Sequence, residues 1–207
     1  MSDSSITPSL RLYTTHTSSA SHRPWIALAY KQLPYEAVYV NLSAKEQNKP
    51  DYLSRINPNA RVPALEVVQE GGQSLWLRNS LTALLYLDSA FLESPRLLPP
   101  ETDWPRRALV LDLVGIIQAD TQPVCNSSVA RRAAEWAVGK TLEEGADHEA
   151  VTQKAIEWRV HATERALMAV ERTISSNEVQ KAGKYAVGDD FTMADVILAA
   201  QLDMALA

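Results

Sequence analysis

The sequence contains a single cysteine, Cys125, among its 207 residues. One cysteine excludes an intrachain disulfide and a zinc site built from cysteine ligands, and it fits a reducing compartment. Basic residues are not in excess either, since the net charge is −5 at pH 7, so we expect no nucleic-acid partner. His16 and His22 lack partners at metal-binding spacing, so we expect no bound metal.

Long apolar runs are also lacking. None approaches the roughly 20 residues that span a bilayer, and the start, MSDSSITPS, lacks the basic and apolar segments of a signal peptide. We therefore expect a cytoplasmic protein with no membrane partner. The composition, 46% hydrophobic and 22% charged, is ordinary for a soluble globular protein with a sizeable core.

What the sequence does contain is a hydroxyl-rich stretch, residues 14–28 (TTHTSSASHRPWIAL), directly after a short apolar run. The run predicts a strand, and apolar residues at helical spacing from Trp25 onward predict a helix. The first turn of a helix has unpaired backbone N–H groups and partial positive charge, so it can bind an anion. The stretch has no cysteine, because Ala20 lies in its middle. A thiol acting here must come from a bound cofactor.

The first half of the chain predicts the element order β-α-β-α-β-β-α. Strands are expected at residues 10–13, 35–42, 64–68 and 74–77. The first two strands should be parallel because a helix connects them. The last two should be antiparallel, since the turn between them contains two glycines.

The predicted helices of this half have recognisable start signals. The first should start near Ser21 or His22 and end near residue 31, with Pro24 in its first turn, where a missing N–H costs little. A short helix should follow Pro50. Asn79 or Ser80 should then cap a helix over residues 81–87.

The second half shows no strand signal. A long helical stretch is expected over residues 104–139, with a kink or break at Pro123. A loop over 139–147, a helix over 148–175 and a polar, exposed segment over 177–184 follow. Thr192 should cap a final buried helix that runs to Leu206. Prolines concentrate between the two halves, so we predict domains at 9–90 and 104–207 joined by a linker at 91–103.

Five segments, in order from about residue 9 to the end, resemble motifs of one family. SSASHRPWIAL resembles the zeta-class signature SSC-S-[WH]-R-V-R-IAL, and TQPVCNSSV resembles the zeta segment IQPLQNLSV. NPNARVPAL, RNSLTALLYLD and VGDDFTMADV resemble motifs found across the soluble glutathione transferases. The sequence is identified by this resemblance as a zeta-class glutathione transferase, a class that includes maleylacetoacetate isomerase.

The resemblance implies an α/β plus all-α fold, with a thioredoxin-like N-terminal domain followed by a helical domain, assembled as a homodimer. It implies glutathione as cofactor and a small-molecule substrate. The expected function is cis–trans isomerisation of maleylacetoacetate or a similar maleyl ketone, by thiolate addition, bond rotation and elimination. A transferase that conjugates or dehalogenates small electrophiles is one alternative, and a non-catalytic binding module of this fold is another.

The resemblance also assigns the site. Ser18 and Ser19 would stabilise the glutathione thiolate as catalytic residues, and Ala20, Ser21, His22 and Arg23 complete their segment. Arg23 is the cation nearest in sequence for a substrate carboxylate. Further cofactor contacts are expected from Asn48 at the glycine end, from Val62 before a cis Pro63, from Asn79 and Ser80 at the γ-glutamyl end, and from Gln122, Asn126, Ser127 and Ser128 of the helical domain.

Several positions depart from the family pattern. Ala20 replaces the signature cysteine, Trp25 replaces its second arginine, and Asn79 is shorter than the usual Gln or Glu. Family members continue with more helix beyond Ala207, about where a substrate-binding arginine would fall, so the helical domain is expected to be shortened. Simpler interpretations also stand. The hydroxyls at 18 and 19 could be only a helix cap, and the polar residues after Pro123 could be only loop caps.

Overall fold

Four strands form one sheet in the described part of the chain, residues 9–176 and 183–206 of this computed structural model. They are β1 (Ser9–Thr14), β2 (Glu36–Tyr39), β3 (Ala64–Val68) and β4 (Ser74–Leu77), in the spatial order β2-β1-β3-β4. β1 is parallel to β2, while β3 is antiparallel to β1 and β4. The predicted strand order and directions are confirmed, although β2 is shorter than the predicted residues 35–42.

The core of this half lies on one face of the sheet. Leu10 and Leu12 alternate along β1 and pair with Val67 and Leu65 of β3, and all four side chains are buried. Two helices, α1 (Ser19–Tyr30) and α2 (Ser80–Ala90), pack against each other. Their buried apolar residues are Ala27, Leu28, Ala83, Leu84 and Leu87.

Helix α1 begins earlier than predicted. Its first residue is Ser19, because Ser18 has extended backbone and accepts a hydrogen bond from Ser21 N, which makes Ser18 the N-cap. Pro24 therefore lies inside the helix and not in its first turn, so the prediction of the helix start near Ser21 or His22 was wrong. The earlier start brings Ser19 and Ser21 into the first turn, beside the unpaired N–H groups of the helix.

The connection from β2 to β3 contains two short helical turns. A 3-10 turn covers Glu46–Asn48, and a π-helical turn over Tyr52–Ile56 confirms the short helix predicted after Pro50. Between β4 and α2, Asn79 is the N-cap, and α2 runs to Ala90, three residues beyond the predicted end.

A buried carboxylate ties α2 to the segment that follows it. Asp88 is 1% exposed and accepts hydrogen bonds from Leu97 N and from the Arg96 guanidinium, 3.1 Å from Nη2 to Oδ2. The Lys31 ammonium, also buried, lies 3.9 Å from Asp88 Oδ1 and donates to Pro95 O at 2.8 Å. Buried charges are tolerated when they are paired, so these contacts hold the end of α1 and the chain after α2 together.

The second half is helical in its described residues. It contains α3 (Trp104–Gly115), α4 (Gln122–Cys125), α5 (Ser127–Val138), α6 (His148–Ser176) and α7 (Met193–Leu206), with a π-helical stretch at Ile116–Thr121 between α3 and α4. Pro123 lies in the first turn of α4, directly after the π-helical stretch, and the chain leaves the helix at Asn126, where ψ is 132°. The predicted interruption is present but extends to both sides of Pro123.

The start of α7 is fixed by hydrogen bonds that Thr192 donates to Asp195, three residues further on. The Asp195 carboxylate accepts hydrogen bonds from Thr192 N at 2.8 Å and from the Thr192 hydroxyl at 2.9 Å. Its other oxygen accepts from Ala186 N at 2.9 Å, which ties the preceding loop to the helix. Val196 and Ile197 are fully buried. The helix begins directly after Thr192, as predicted, and most of its residues from Met193 to Gln201 are buried, while Leu202 and Asp203 are exposed.

One helical stretch, Trp104–Cys125, is long and apolar enough to cross a membrane by length and composition. A core helix of a soluble protein satisfies the same criteria. Leu109, Val110, Leu113 and Ile117 are buried within the protein, so the apolar side of this stretch faces other residues of the chain. Charged residues, among them Asp112 and Asp120, interrupt the apolar residues of this helical stretch, so it contains no long uninterrupted apolar run.

The described residues divide into two compact units. One contains the residues up to Leu98 together with those from Leu202, and the other is Pro99–Gln201. The domain limits 9–90, 91–103 and 104–207 stay predictions. Most of the polar segment predicted at 177–184, the start MSDSSITP and Ala207 lie outside the described residues.

Candidate functional site

Ser18 caps helix α1 in a way that leaves its hydroxyl proton available. Ser21 N lies 3.3 Å from Ser18 Oγ and 2.9 Å from Ser18 O, and His22 N lies 3.1 Å from the same carbonyl. In this geometry Ser18 Oγ accepts a hydrogen bond, and a hydroxyl that accepts through a lone pair still has one proton to donate. The cap interpretation is therefore correct, and it is compatible with donation to an anion.

The next residues form the first turn of α1. Ser19 is 9% exposed, Ala20 is half-buried and Ser21 is fully buried. Helix N-termini favour negative charge because their N–H groups point outward from the helix end. Of the three serines at 18, 19 and 21, Ser18 is the most exposed, which favours it as a donor to a bound ligand.

His22 is held on both sides of its ring. Its Nε2 lies 2.9 Å from the carbonyl oxygen of His16, and its Nδ1 lies 2.9 Å from Asp203 Oδ2. These contacts connect the loop before α1 to the last part of α7 within the first compact unit. His22 therefore fixes the shape of the loop that carries Ser18.

Arg23 is completely buried, which contradicts the expectation that it meets a substrate carboxylate directly. The earlier start of α1 places it in the second turn, where Nη1 donates to Ser80 Oγ at 3.2 Å. Burial lowers the pKa of the guanidinium to about 10, so it remains positively charged at neutral pH. The structure thus joins Arg23, which the sequence analysis assigned to a substrate carboxylate, to Ser80, which it assigned to the γ-glutamyl end of glutathione.

The start of α2 repeats the arrangement at α1. Asn79 is exposed and its Oδ1 accepts a hydrogen bond from Leu81 N at 2.9 Å, so its role as a cap is confirmed. Its amide NH2 group has donors that this contact does not use. Ser80 is the first residue of α2 and 4% exposed. Contact of either side chain with a ligand stays a prediction.

The bond between Val62 and Pro63 is cis, as the motif predicted. Val62 is half-buried and is separated from the first residue of β3 only by Pro63, while Asn48 is exposed at the end of its 3-10 turn. Ligand contacts at Asn48 and Val62 stay predictions.

Two residues that the sequence analysis did not single out hold this loop. Asn57 is fully buried, and its Nδ2 donates to Arg61 O at 2.9 Å and to Arg78 O at 3.4 Å. Tyr52 donates its hydroxyl to the same Arg61 carbonyl at 2.8 Å, and burial raises its pKa. The carbonyl lies next to Val62 and Arg78 lies next to Asn79. Asn57 and Pro58 open the segment NPNARVPAL, so this motif was the sequence signal from which a role of Asn57 could have been predicted.

The predicted residues of the helical unit lie at the starts of two consecutive helices, α4 and α5. Gln122 begins α4, and Asn126 caps α5 by accepting from Ser128 N at 3.0 Å and from the Ser128 hydroxyl at 2.6 Å. Ser127 is the exposed first residue of α5. The capping interpretation holds for Asn126 and Ser128, and a ligand-binding role for this group stays a prediction.

Comparison with known proteins identifies the architecture. Residues 17–90 match the family model of the glutathione S-transferase N-terminal domain. The chain is similar to the maleylacetoacetate isomerase maiA of Aspergillus fumigatus, with 36% identity over 197 residues that cover 95% of this chain and 77% of the relative. This chain belongs to the zeta-class glutathione transferase and maleylacetoacetate isomerase family.

Two solved structures of the family resemble this zeta-class protein over nearly its whole length. One is a maleylacetoacetate isomerase from Anaeromyxobacter dehalogenans with dicarboxyethyl glutathione and citrate in its active site; the TM-score is 0.75 and the identity 32%, over 97% of this chain and 79% of the other. The second is a maleylpyruvate isomerase, a bacterial zeta-class glutathione S-transferase, with TM-score 0.75 and identity 29% over 95% and 82% of the two chains. The expected glutathione transferase fold is therefore confirmed.

Within this zeta-class protein, the position that departs from the signature arginine is part of an aromatic cluster. The Trp25 ring lies 5.0 Å from the His16 ring and 6.0 Å from the Tyr39 ring, and His16 stacks on Tyr39 at 5.0 Å. Aromatic pairs at these distances are stabilising. The tryptophan that replaces the arginine therefore packs against His16 of the loop before α1 and against Tyr39 of β2.

Proposed function

We propose that this protein is a glutathione-dependent cis–trans isomerase of maleylacetoacetate or a similar maleyl ketone. The observation that carries the proposal is Ser18, whose hydroxyl caps α1 as an acceptor while its proton stays available to an anion. Family membership supports the same chemistry, because the similar proteins include maleylacetoacetate isomerases.

The residues present suit glutathione, a peptide that carries carboxylates and a thiol. Two helix starts, those of α1 and α2, lie in one compact unit, and each has a serine hydroxyl and unpaired N–H groups. Ser18 and Ser19 would face the thiolate, and Asn79 and Ser80 the γ-glutamyl end. The backbone of Val62 before Pro63 would pair with the cysteinyl part, and Asn48 would meet the glycine end.

The cofactor supplies one chemical ability, a thiolate that adds to a conjugated double bond, allows rotation about the resulting single bond and leaves again. The chain's task at the α1 start is to keep that sulfur ionised near neutral pH, since a free thiol has a pKa of about 8.5. A hydroxyl donor and the positive end of the helix both favour the anion. No proton has to leave the chain in this role, because Ser18 only donates a hydrogen bond.

The remaining site residues have supporting roles in this proposal. Ala20, Ser21 and His22 shape the α1 start, and Gln122, Asn126, Ser127 and Ser128 are proposed as ligand contacts on the family resemblance alone. Ala20 carries no thiol, so the sulfur of glutathione is the nucleophile that this proposal needs. Arg23 is too buried to contact a substrate carboxylate.

We also propose a cytoplasmic homodimer. Exposed apolar side chains on α5 and α6, among them Trp136 at 75% exposure, support burial against a second copy. Light scattering after gel filtration should give twice the chain mass of 22.9 kDa. A mass of one chain at micromolar concentration would exclude the stable dimer.

One assay separates the proposed reaction from the alternatives. The purified chain is supplied with a cis maleyl ketone or with a chlorinated carboxylic acid, each with and without glutathione. We expect isomerisation that requires glutathione and is faster than conjugation. Conjugation without isomerisation would indicate the transferase, and the absence of both reactions would favour the binding module. Isomerisation without glutathione would contradict the mechanism.

A further inference from the structure

Arg23 places a positive charge between the two helices that carry the proposed glutathione contacts. It has no exposed surface, and Nη1 lies 3.2 Å from the hydroxyl oxygen of Ser80, the first residue of α2. An uncharged side chain of similar length would fill this space between α1 and α2 without the cost of burying a charge. We therefore expect that either the charge of the guanidinium or its hydrogen bonds have a function in the protein.

The contact fixes the hydrogen-bonding direction of Ser80. A guanidinium has donors and no acceptor, so Ser80 Oγ must accept in this pair. The single proton of the hydroxyl then points to another acceptor. Ser80 lies at the start of α2, where the N–H groups favour an anion, so a carboxylate bound there would receive the proton.

We propose that Arg23 is a positioning residue that acts through Ser80: it orients the Ser80 hydroxyl as a donor to the γ-glutamyl α-carboxylate of glutathione. The inference rests on the proposed function, because it requires glutathione to bind at α2. Arg23 itself touches neither glutathione nor the substrate. The low pKa of about 10 agrees with this arrangement, since the group is deeply buried and yet charged at neutral pH.

The competing explanation is that Arg23 only ties α1 to α2. Both explanations predict a less stable protein when Arg23 is replaced. If Arg23 acts through Ser80, its effect on ligand affinity should require both Ser80 and the ligand's carboxylate. If it only ties the helices together, its effect should require neither. A double-mutant cycle measured with two ligands separates the two explanations.

The test measures dissociation constants by calorimetry for the full chain and the variants Arg23→Met, Ser80→Ala and the double variant. The ligands are glutathione and its γ-aminobutyryl analogue, which lacks the γ-glutamyl α-carboxylate. Arg23→Met should weaken glutathione binding roughly tenfold, on the scale of one hydrogen bond to a charged group. The double variant should be little weaker than Ser80→Ala, and Arg23→Met should leave the affinity for the analogue unchanged.

Lys31→Met is the matched control. Lys31, the C-cap of α1, is also a buried cation, but it contacts Pro95 O and Asp88 at the other end of the helix. This variant should lower thermal stability and leave the affinity for glutathione unchanged. A loss of glutathione affinity equal to that of Arg23→Met would attribute the effect to weakened helix packing and overturn the inference.

Additive effects in the cycle, or equal weakening for glutathione and the analogue, would also overturn it. If Arg23→Met does not fold, Arg23→Lys keeps the charge, and its loss of affinity should again be confined to the ligand with the carboxylate. If the unmodified chain binds no glutathione, both this inference and the proposed function fail. If it binds glutathione and the cycle shows no coupling, only the inference on Arg23 fails.

Discussion

The Arg23 guanidinium donates to the Ser80 hydroxyl at 3.2 Å and so connects helix α1 to the first residue of helix α2. The two residues are 57 positions apart in the sequence. Ser18 caps the first of these helices and Asn79 the second. One buried contact thus links the proposed thiolate site to the proposed γ-glutamyl site, and both helix starts belong to the same compact unit.

Replacing Ser18 by alanine should slow isomerisation by about 10²-fold, on the scale of one lost donor to a developing anion. The structural reason is that the hydroxyl, which accepts from Ser21 N, keeps its proton for the sulfur. Steady-state rates with saturating glutathione measure the effect. Ser94→Ala is the matched control, because that hydroxyl donates to Phe91 O in a loop away from both helix starts. Equal rates for Ser18→Ala and the unmodified chain would remove Ser18 from the mechanism.

Restoring the signature cysteine with Ala20→Cys should change the isomerisation rate only slightly. Ala20 is the second residue of α1, and the proposal assigns thiolate stabilisation to Ser18 and Ser19, which precede it. A cysteine there would be reactive, since helix N-termini lower thiol pKa values. Isomerisation by the variant should still require glutathione. A large increase in rate, or activity without glutathione, would mean that the missing thiol and not Ser18 is the main catalytic group.

Asn57→Ala should weaken glutathione binding roughly tenfold, because a buried amide that donates to two carbonyls is lost. The affected carbonyls, of Arg61 and Arg78, directly precede Val62 and Asn79. Calorimetry with glutathione gives the dissociation constant. Asn59→Ala is the control, since the Asn59 side chain is exposed and it is the backbone N–H of Asn59 that donates to Asn57 Oδ1, at 3.0 Å. Similar affinities for the two variants would show that the loop does not need Asn57.

Asp88→Ala should destabilise the protein by about 3 kcal/mol, the scale for breaking a buried ion pair. The carboxylate is 1% exposed, accepts from Leu97 N, and lies near the buried Lys31 ammonium. Denaturant unfolding followed by circular dichroism measures the change. Glu46→Ala, which removes a carboxylate from an exposed pair with Lys49, should change the stability little. If the two variants lose the same stability, the buried contacts of Asp88 are not what holds this region.

Much of the fold could be predicted from local patterns. The strands β3 and β4, the final helix and its Thr192 cap follow from apolar periodicity and capping residues, which act over a few positions. The start of α1 was predicted too late because Ser18, Ser19 and Ser21 are all good cap residues, and tertiary packing decides among them. Pro24 reinforced the error, since proline usually marks a first turn.

The site could be predicted by motif but not by geometry. Ser18, Asn79 and Pro63 were found because each lies in a family motif. The burial of Arg23 could not be found, because its partner Ser80 is distant in sequence and arginine usually lies at the surface. Asn57 was missed for a similar reason: its two carbonyl partners belong to different segments, which only the folded chain brings together.

The pKa of the glutathione thiol bound to this protein tests the central claim most directly. The ultraviolet absorbance of the thiolate, titrated with pH in the complex, reports it. The account predicts a pKa well below the free value of about 8.5, and a value closer to the free one when Ser18 is replaced by alanine. A bound thiol that titrates like free glutathione, or one whose lowered pKa survives Ser18→Ala unchanged, would contradict the account.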